Sequence, residues 1–439
     1  MASTREHPAP SRALPALARR PRERVAGALL QVTTRVVGMK PAMVPEHFRR
    51  QLRLLGATDA QVGRVLPKLR SLAEWPYGWE AEGDACAAAG DWTGAYAAYY
   101  AAQRILIAPS PLKHRLYDLA VAAYARVEQP KLERPEAVSP RGERIGVYLQ
   151  MPAGAIATRP VPCVLMVPGI TGTKEELHAY AMPILERGIA VARIDNPVYG
   201  ETEGLLDAGS VRNATTVLDI LARDPRLDAR ALHLHGMSLG ANFALQSAHG
   251  SRAASLTLIC PPYLPARYLR GLPTLNLTAL QHMTHAPDIE EIVAFAEENA
   301  LDRVAPSLTM PVRIFHGGRD RTIPVTDGQA LAEAVGGPVA LTVYERDHHN
   351  CLEHMHEITA QTLEFLRDPA GTCLRHAALQ RIDVPAGTHA TDEDAMLARA
   401  GHRPRRLRVR LPFHVPSVSS IRAIRSMRSG TDAPAFSEP

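Results

Sequence analysis

The sequence predicts an α/β protein in which a doubly wound, mostly parallel sheet follows an all-helical domain. Three observations carry this. From Arg144 onward, short apolar runs alternate with helix-spaced stretches, the order that builds a parallel sheet with helices on its faces. Ahead of that, from Pro45 to Val127, apolar residues recur at helical spacing. The Gly- and Asp-containing motifs of the second region all follow apolar runs, at the carboxyl ends of strands, where such sheets bind ligands.

Residues 1–40 are rich in Pro, Ala and Arg and lack the apolar core of a secretory signal. They read as a disordered basic leader; an Arg-rich organelle-targeting peptide and an extension ahead of a start at Met39 are the other readings. Residues 41–130 form the predicted helical lid domain, with helices over His47–Leu55, Asp59–Leu72, Asp84–Ala89, Trp92–Ile107 and Leu112–Val127, broken at Gly90-Asp91 and Pro109-Ser110-Pro111. Tyr96, Tyr99 and Tyr100 share one helix face, with core packing as the expected role. Pro130–Pro140 is a Pro- and charge-rich linker.

Residues 141–368 form the predicted catalytic domain. Its strands are Ile145–Leu149, Cys163–Val167, Ile189–Ile194, Leu232–His235, Leu256–Ile259, Val312–Phe315 and Val339–Val343. Helices are expected over Lys174–Arg187, Val211–Ala222, Leu239–Ala248, Thr326–Val335 and His354–Leu366. Residues 261–311 are an insertion with a helix near Ile289–Asn299, expected to cover the site; His282 and His285 lie in it as surface or lid residues. Residues 369–439 read as a mostly disordered basic tail with one helix near Asp392–Ala400.

The centre of the second region is Ala231–Ser247, ALHLHGMSLGANFALQS. An apolar strand, then Gly236-Met237-Ser238-Leu239-Gly240, then a helix, is the context of a nucleophile elbow. A nucleophilic serine must stand on a sharp turn, and its flanking positions must lack a Cβ to let strand and helix approach. The Leu239 N–H then faces the space in front of the Ser238 hydroxyl and can stabilise an oxyanion. The pentapeptide alone is weak evidence, since roughly one chain in seven of this length would hold it by chance.

The rest of the chain supplies partners. Val167–Thr173 (VPGITGT) follows a strand and can aim a second N–H, from Ile170 or Thr171, at the oxyanion. Ile194–Glu201 (IDNPVYGE) is a turn at the next strand's end. Phe315–Pro324 (FHGGRDRTIP) places Asp320 where it can hold a histidine tautomer, and Asp347-His348-His349 follows the strand ending at Tyr344. His348 is the expected general base, with His349 as its rival. The order Ser238, Asp320, His348 is that of an α/β-hydrolase. A metal cluster from His348, His349, Cys351, His354 and His356 fits no zinc spacing, so no metal and no cofactor are expected.

Bulk properties exclude other classes. The net charge of +5 misleads, because residues 1–40 and 401–439 each hold eight Lys/Arg against two Asp/Glu, leaving the body of the chain acidic. A nucleic-acid partner therefore has no support, and no apolar run is long enough to span a membrane. Five scattered cysteines without C-x-x-C pairs suit a reducing, cytoplasmic setting.

VPGITGTKEE, IDNPVYGETEG, HGMSLGANFALQSA, HGGRDRTIPV and ERDHHNC together resemble the α/β-hydrolases of the 2,6-dihydroxypseudooxynicotine hydrolase type, related to the fungal pigment chain-shortening hydrolases. The likeness covers about Pro45–Leu366. It implies a helical lid over the core, a Ser238–Asp320–His348 triad and a homodimer with the site between lid and core. Carbon–carbon-cleaving members carry a Glu in the loop before T-K-E-E, where this chain has Thr171, which favours an ester or other acyl substrate.

The expected function is therefore a serine hydrolase of a small, apolar or aromatic molecule. Carbon–carbon cleavage of a 1,3-diketone or polyketide-like compound is the alternative, and a non-catalytic binding protein on a hydrolase fold is the third reading. Thr171, Met237, Tyr199, Trp79 and Tyr263 are the candidate substrate contacts, beside the oxyanion N–H groups of Leu239 and Ile170.

Overall fold

The computed structural model describes residues 46–376 and 379–383. Its helical lobe consists of α1 (Glu46–Leu54), α2 (Asp59–Val65), α3 (Trp75–Ala88), α4 (Trp92–Arg104) and α5 (Pro111–Tyr124). The boundaries follow capping chemistry. Thr58 and Gln61 form a capping box before α2, the Asp91 carboxylate accepts from the Gly94 N–H, and Ser110 accepts from the Lys113 N–H ahead of Pro111. The stretch Trp75–Trp79 opens α3, where Pro76 in the first turn sacrifices no helical bond. Gly83 lets α3 and α4 close up, since a Cβ there would lie 2.5 Å from the Tyr99 ring. Trp75, Trp79, Tyr96, Tyr100 and a run of alanines fill the lobe's core.

Among the described residues the sheet has eight strands in the order β1-β3-β2-β4-β5-β6-β7-β8: β1 Val147–Gln150, β2 Val161–Val167, β3 Ala190–Ile194, β4 Leu227–Met237, β5 Ser255–Ile259, β6 Val312–Gly317, β7 Val339–Tyr344 and β8 Gln380–Ile382. Only β1 runs antiparallel to its neighbour; the other pairings are parallel. Central strands β2, β3, β5 and β6 are buried along most of their length, which explains their continuous apolar runs. Helices α6 (His178–Glu186), α7 (Asn213–Leu221) and α8 (Leu239–Ala248) follow the first strands, and the insertion contributes α9 (Thr274–Thr284) and α10 (Ile289–Glu298). Then come α11 (Val325–Ala334), α12 (Met355–Arg367) and α13 (Pro369–Arg375).

Order continues beyond Leu366, against the sequence expectation. In α13, Cys373 packs with Ala340 and Phe365, and β8 pairs in parallel with β7 through Thr342–Tyr344. Gln380–Ile382 is too short and polar to display a strand period. The predicted leader and the predicted helix near Asp392–Ala400 lie outside the described residues.

Candidate active site

Ser238 occupies the turn between β4 and α8 with φ 53° and ψ −125°, a strained conformation for a residue with a Cβ. The turn is fixed from both sides. Its N–H donates to Ile259 O at 2.8 Å, and a Cβ on Gly236 would lie 2.5 Å from Ala241 Cα. A Cβ on Gly240 would lie 2.2 Å from Pro168 O. The two glycines of G-x-S-x-G are therefore required by backbone contact.

Asp320 follows β6. Its Oδ1 accepts from the N–H groups of Thr322 and Ile323 at 2.8 and 2.9 Å, which leaves Oδ2 to face the cleft. The histidine that meets it is His349, not His348. His349 Nδ1 lies 2.7 Å from Asp320 Oδ2, and its Nε2 lies 2.9 Å from Ser238 Oγ. The His348 ring is exposed, with Nδ1 3.2 Å from Arg319 O. The reason is backbone packing against β6. A Cβ on Gly317 would lie 2.2 Å from His348 O, so the main chain of His348 fills that space and its ring projects outward. Asn350 and Cys351 then take left-handed φ of 65° and 51°, turning the chain so that His349 enters the cleft. Of the other histidines of this stretch, His354 places Nδ1 2.9 Å from Asp347 Oδ2, and its ring stacks on Tyr344.

Burial disfavours a charged His349 ring, but the adjacent Asp320 carboxylate outweighs it, with a smaller push from Cys260, and raises its pKa from 6.5 to about 10. In Asp320, burial works upward and the His349 contact downward, with a net lowering. Because only the neutral ring can accept the Ser238 proton, activity should rise with pH. The acidic limb of kcat/KM is expected well above pH 6.5, and Asp320→Asn should move it down, since burial is then opposed only by the smaller push of Cys260. A wild-type limb at or below pH 6.5 would contradict this. The same shift stabilises the fold below pH 6.5, and that contribution is lost as pH rises toward 10.

The loop after β2 lies over the elbow. Gly172 N–H donates to Gly169 O at 2.9 Å to close a turn, and the Asn196 side-chain amide holds Pro168 O and Gly169 O at 3.2 and 2.7 Å. Ile170, Ser238 and Leu239 share one cleft. Most of its other wall comes from the insertion and the elbow helix, including Phe243, Leu272, Leu280, Ile292 and Phe295. The described lining contains no Asp, Glu, Lys or Arg. Asn242, Asn299 and Tyr268 reach it, but their polar groups bond Pro262 O, Phe295 O and Asp327 Oδ2.

None of the five substrate contacts expected from sequence lines this cleft. Trp79 is buried in the lobe core, 5.7 Å from Trp75. Met237 packs beneath the elbow, and buried Tyr263 donates its N–H to Asp327. Tyr199 is buried with Lys113 above its ring, and Thr171 accepts from Arg104 at 3.3 Å. Part of the wall belongs instead to α10, whose Ile292, Phe295 and Ala296 recur at helical spacing.

A family described as "Esterase FrsA-like" matches residues 81–257. The 2,6-dihydropseudooxynicotine hydrolase of Paenarthrobacter nicotinovorans is 28% identical over 250 residues, 55% of this chain and 65% of that protein, just under two thirds of its length. The crystal structure of a 2,6-dihydroxy-pseudo-oxynicotine hydrolase superimposes with a TM-score of 0.61 at 22% identity, covering 73% of this chain and 95% of the other. Wild-type AbyA5 superimposes with a TM-score of 0.64 at 20% identity, covering 81% and 100%. The chain has the α/β-hydrolase fold with a helical N-terminal region, and the resemblance read from its motifs stands. Among the described residues no helix is long and apolar enough to cross a membrane.

Proposed function

We propose that the chain is a serine hydrolase that cleaves an ester or related acyl bond of an uncharged, apolar substrate through an acyl-enzyme. Ser238 attacks the carbonyl, His349 accepts its proton and returns it to the leaving group, and Asp320 holds the His349 tautomer. The N–H groups of Leu239 and Ile170 receive the developing oxyanion. Water, activated by His349, then releases the acid. One observation carries the reading: the unbroken Ser238–His349–Asp320 relay, at 2.9 and 2.7 Å, opens on a cleft with no charged lining residue. The match to an esterase family supports the same chemistry.

The cleft's walls predict the acyl preference. For p-nitrophenyl esters, kcat/KM should rise about fourfold per added methylene while the chain still finds apolar wall, from the ~0.8 kcal/mol gained per buried CH₂. Steady-state kinetics from acetate to octanoate check this. A flat series, or preference for a succinate half-ester, would refute the apolar assignment.

Carbon–carbon cleavage of a 1,3-diketone is the second reading. The observation in its favour is that a carboxylate does stand by the loop: Arg104 bridges the Thr171 hydroxyl and Glu176 Oε2, at 3.3 and 2.8 Å. Acid release from a 1,3-diketone, at rates matching the best ester, would favour it over ester cleavage.

A further inference from the structure

The helical lobe reaches the loop that carries Ile170. Tyr96, Tyr100 and Arg104 lie four residues apart on α4 and so share one face. That face is turned to the segment directly following the oxyanion loop. Tyr96 Oη donates to Glu175 O at 2.9 Å, and the Thr173 N–H donates to Tyr100 Oη at 3.2 Å. Tyr100 Oη also donates to Glu176 Oε2 at 3.3 Å. Arg104 Nη1 donates to Glu176 Oε2 and to Thr171 Oγ1, the latter within the loop itself. On the opposite side the loop is held by Asn196. Gly172 is packed between, since a Cβ there would lie 2.0 Å from Glu176 Oε1.

We infer that Tyr100 and Arg104 are positioning residues for the oxyanion-binding N–H of Ile170, acting through Thr171 and Thr173. The assignment rests on the acyl-enzyme reading above. Oxyanion donors are effective only within about 2.7–3.1 Å of the developing charge, and a shift of about 1 Å costs roughly 100-fold in rate. The Ile170 turn is closed by one backbone bond, so its position follows from what clamps it on either side. No α4 residue lines the acyl cleft. The clamp therefore acts on the transition state and leaves ground-state binding to the insertion.

The test uses full-length Tyr100→Phe, Arg104→Gln and Arg104→Lys. Four quantities are measured with the best ester: kcat, KM, the inhibition constant of an alkyl boronic acid as tetrahedral-adduct mimic, and the end-point of Ser238 labelling by a fluorophosphonate. Tyr100→Phe removes only a hydroxyl and guards against misfolding of the Arg104 variants. In Tyr100→Phe and Arg104→Gln, kcat should fall 10- to 100-fold and boronate affinity should weaken in proportion, with KM within twofold and labelling still reaching one equivalent. Arg104→Lys should recover part of the loss. Unchanged kcat and boronate affinity, or a rise in KM alone, would overturn the assignment. So would a lowered Tm with unaltered kinetics in the folded protein. Failure of the acyl-enzyme reading would look different: the wild type itself would leave ester and probe untouched, and the assignment would fall with it.

Discussion

Replacing His349 with alanine should lower kcat by about 10⁴-fold or more, the scale seen when a member of a serine triad is removed. Replacing His348 should change it by no more than about twofold, as expected of an exposed side chain. The contrast follows from geometry, since His349 bridges Ser238 Oγ and Asp320 Oδ2 while His348 faces Arg319 O and solvent. Without the imidazole, Ser238 has no acceptor for its proton, and the leaving group has no donor. Steady-state kinetics of the two variants on one ester decide the matter. A His348→Ala protein as impaired as His349→Ala would refute the assignment.

Lys174→Met should cost about 3–5 kcal/mol of stability, the usual penalty for removing one partner of a buried ion pair. Lys174 is fully buried, with Nζ 2.8 Å from Asp195 Oδ2 and 3.1 Å from both Glu175 Oε1 and Glu201 Oε2. Its own N–H donates to Asp195 Oδ1 at 2.7 Å. Burial and the neighbouring Glu175 already push Asp195 up to about 6 against the pull of Lys174. Without the ammonium, two buried carboxylates would repel each other across the segment that joins the loop after β2 to α6. Thermal unfolding should show a Tm lower by roughly 5 °C, and a second change, Asp195→Asn, should recover part of it. A Tm within 2 °C of wild type would contradict this account. The T-K-E-E run, which in the sequence serves only as a resemblance marker, thus has a physical basis: Lys174 is the counter-ion and Glu176 the anchor for Arg104.

Much of the site is legible because it is local. Strand, G-x-S-x-G and helix are contiguous, and each glycine answers a backbone contact that a Cβ would violate. Asp320 is likewise set by its own turn, through the N–H groups of Thr322 and Ile323. The choice between His348 and His349 is not local. It depends on the main chain of His348 lying against Gly317 on another strand and on the left-handed turn at Asn350 and Cys351, which no spacing rule encodes. The cleft is harder still. Most of its wall comes from the insertion, in which the sequence displays one helix near Ile289–Asn299, while Trp79 and Tyr263 pack elsewhere. The tyrosines of α4 were expected to be core, and they are buried, but Tyr96 and Tyr100 also send their hydroxyls across to the Thr173–Glu176 segment.

The claim that Ser238 is a nucleophile activated by His349 is tested most directly by intact-mass analysis and peptide mapping after reaction with a fluorophosphonate, in which the serine oxygen displaces fluoride at phosphorus. One adduct per chain is expected, on Ser238, formed at comparable rates in wild type and His348→Ala, at least about 100-fold more slowly in His349→Ala, and absent in Ser238→Ala. An adduct that persists in Ser238→Ala, or one that forms as fast in His349→Ala as in wild type, would contradict it.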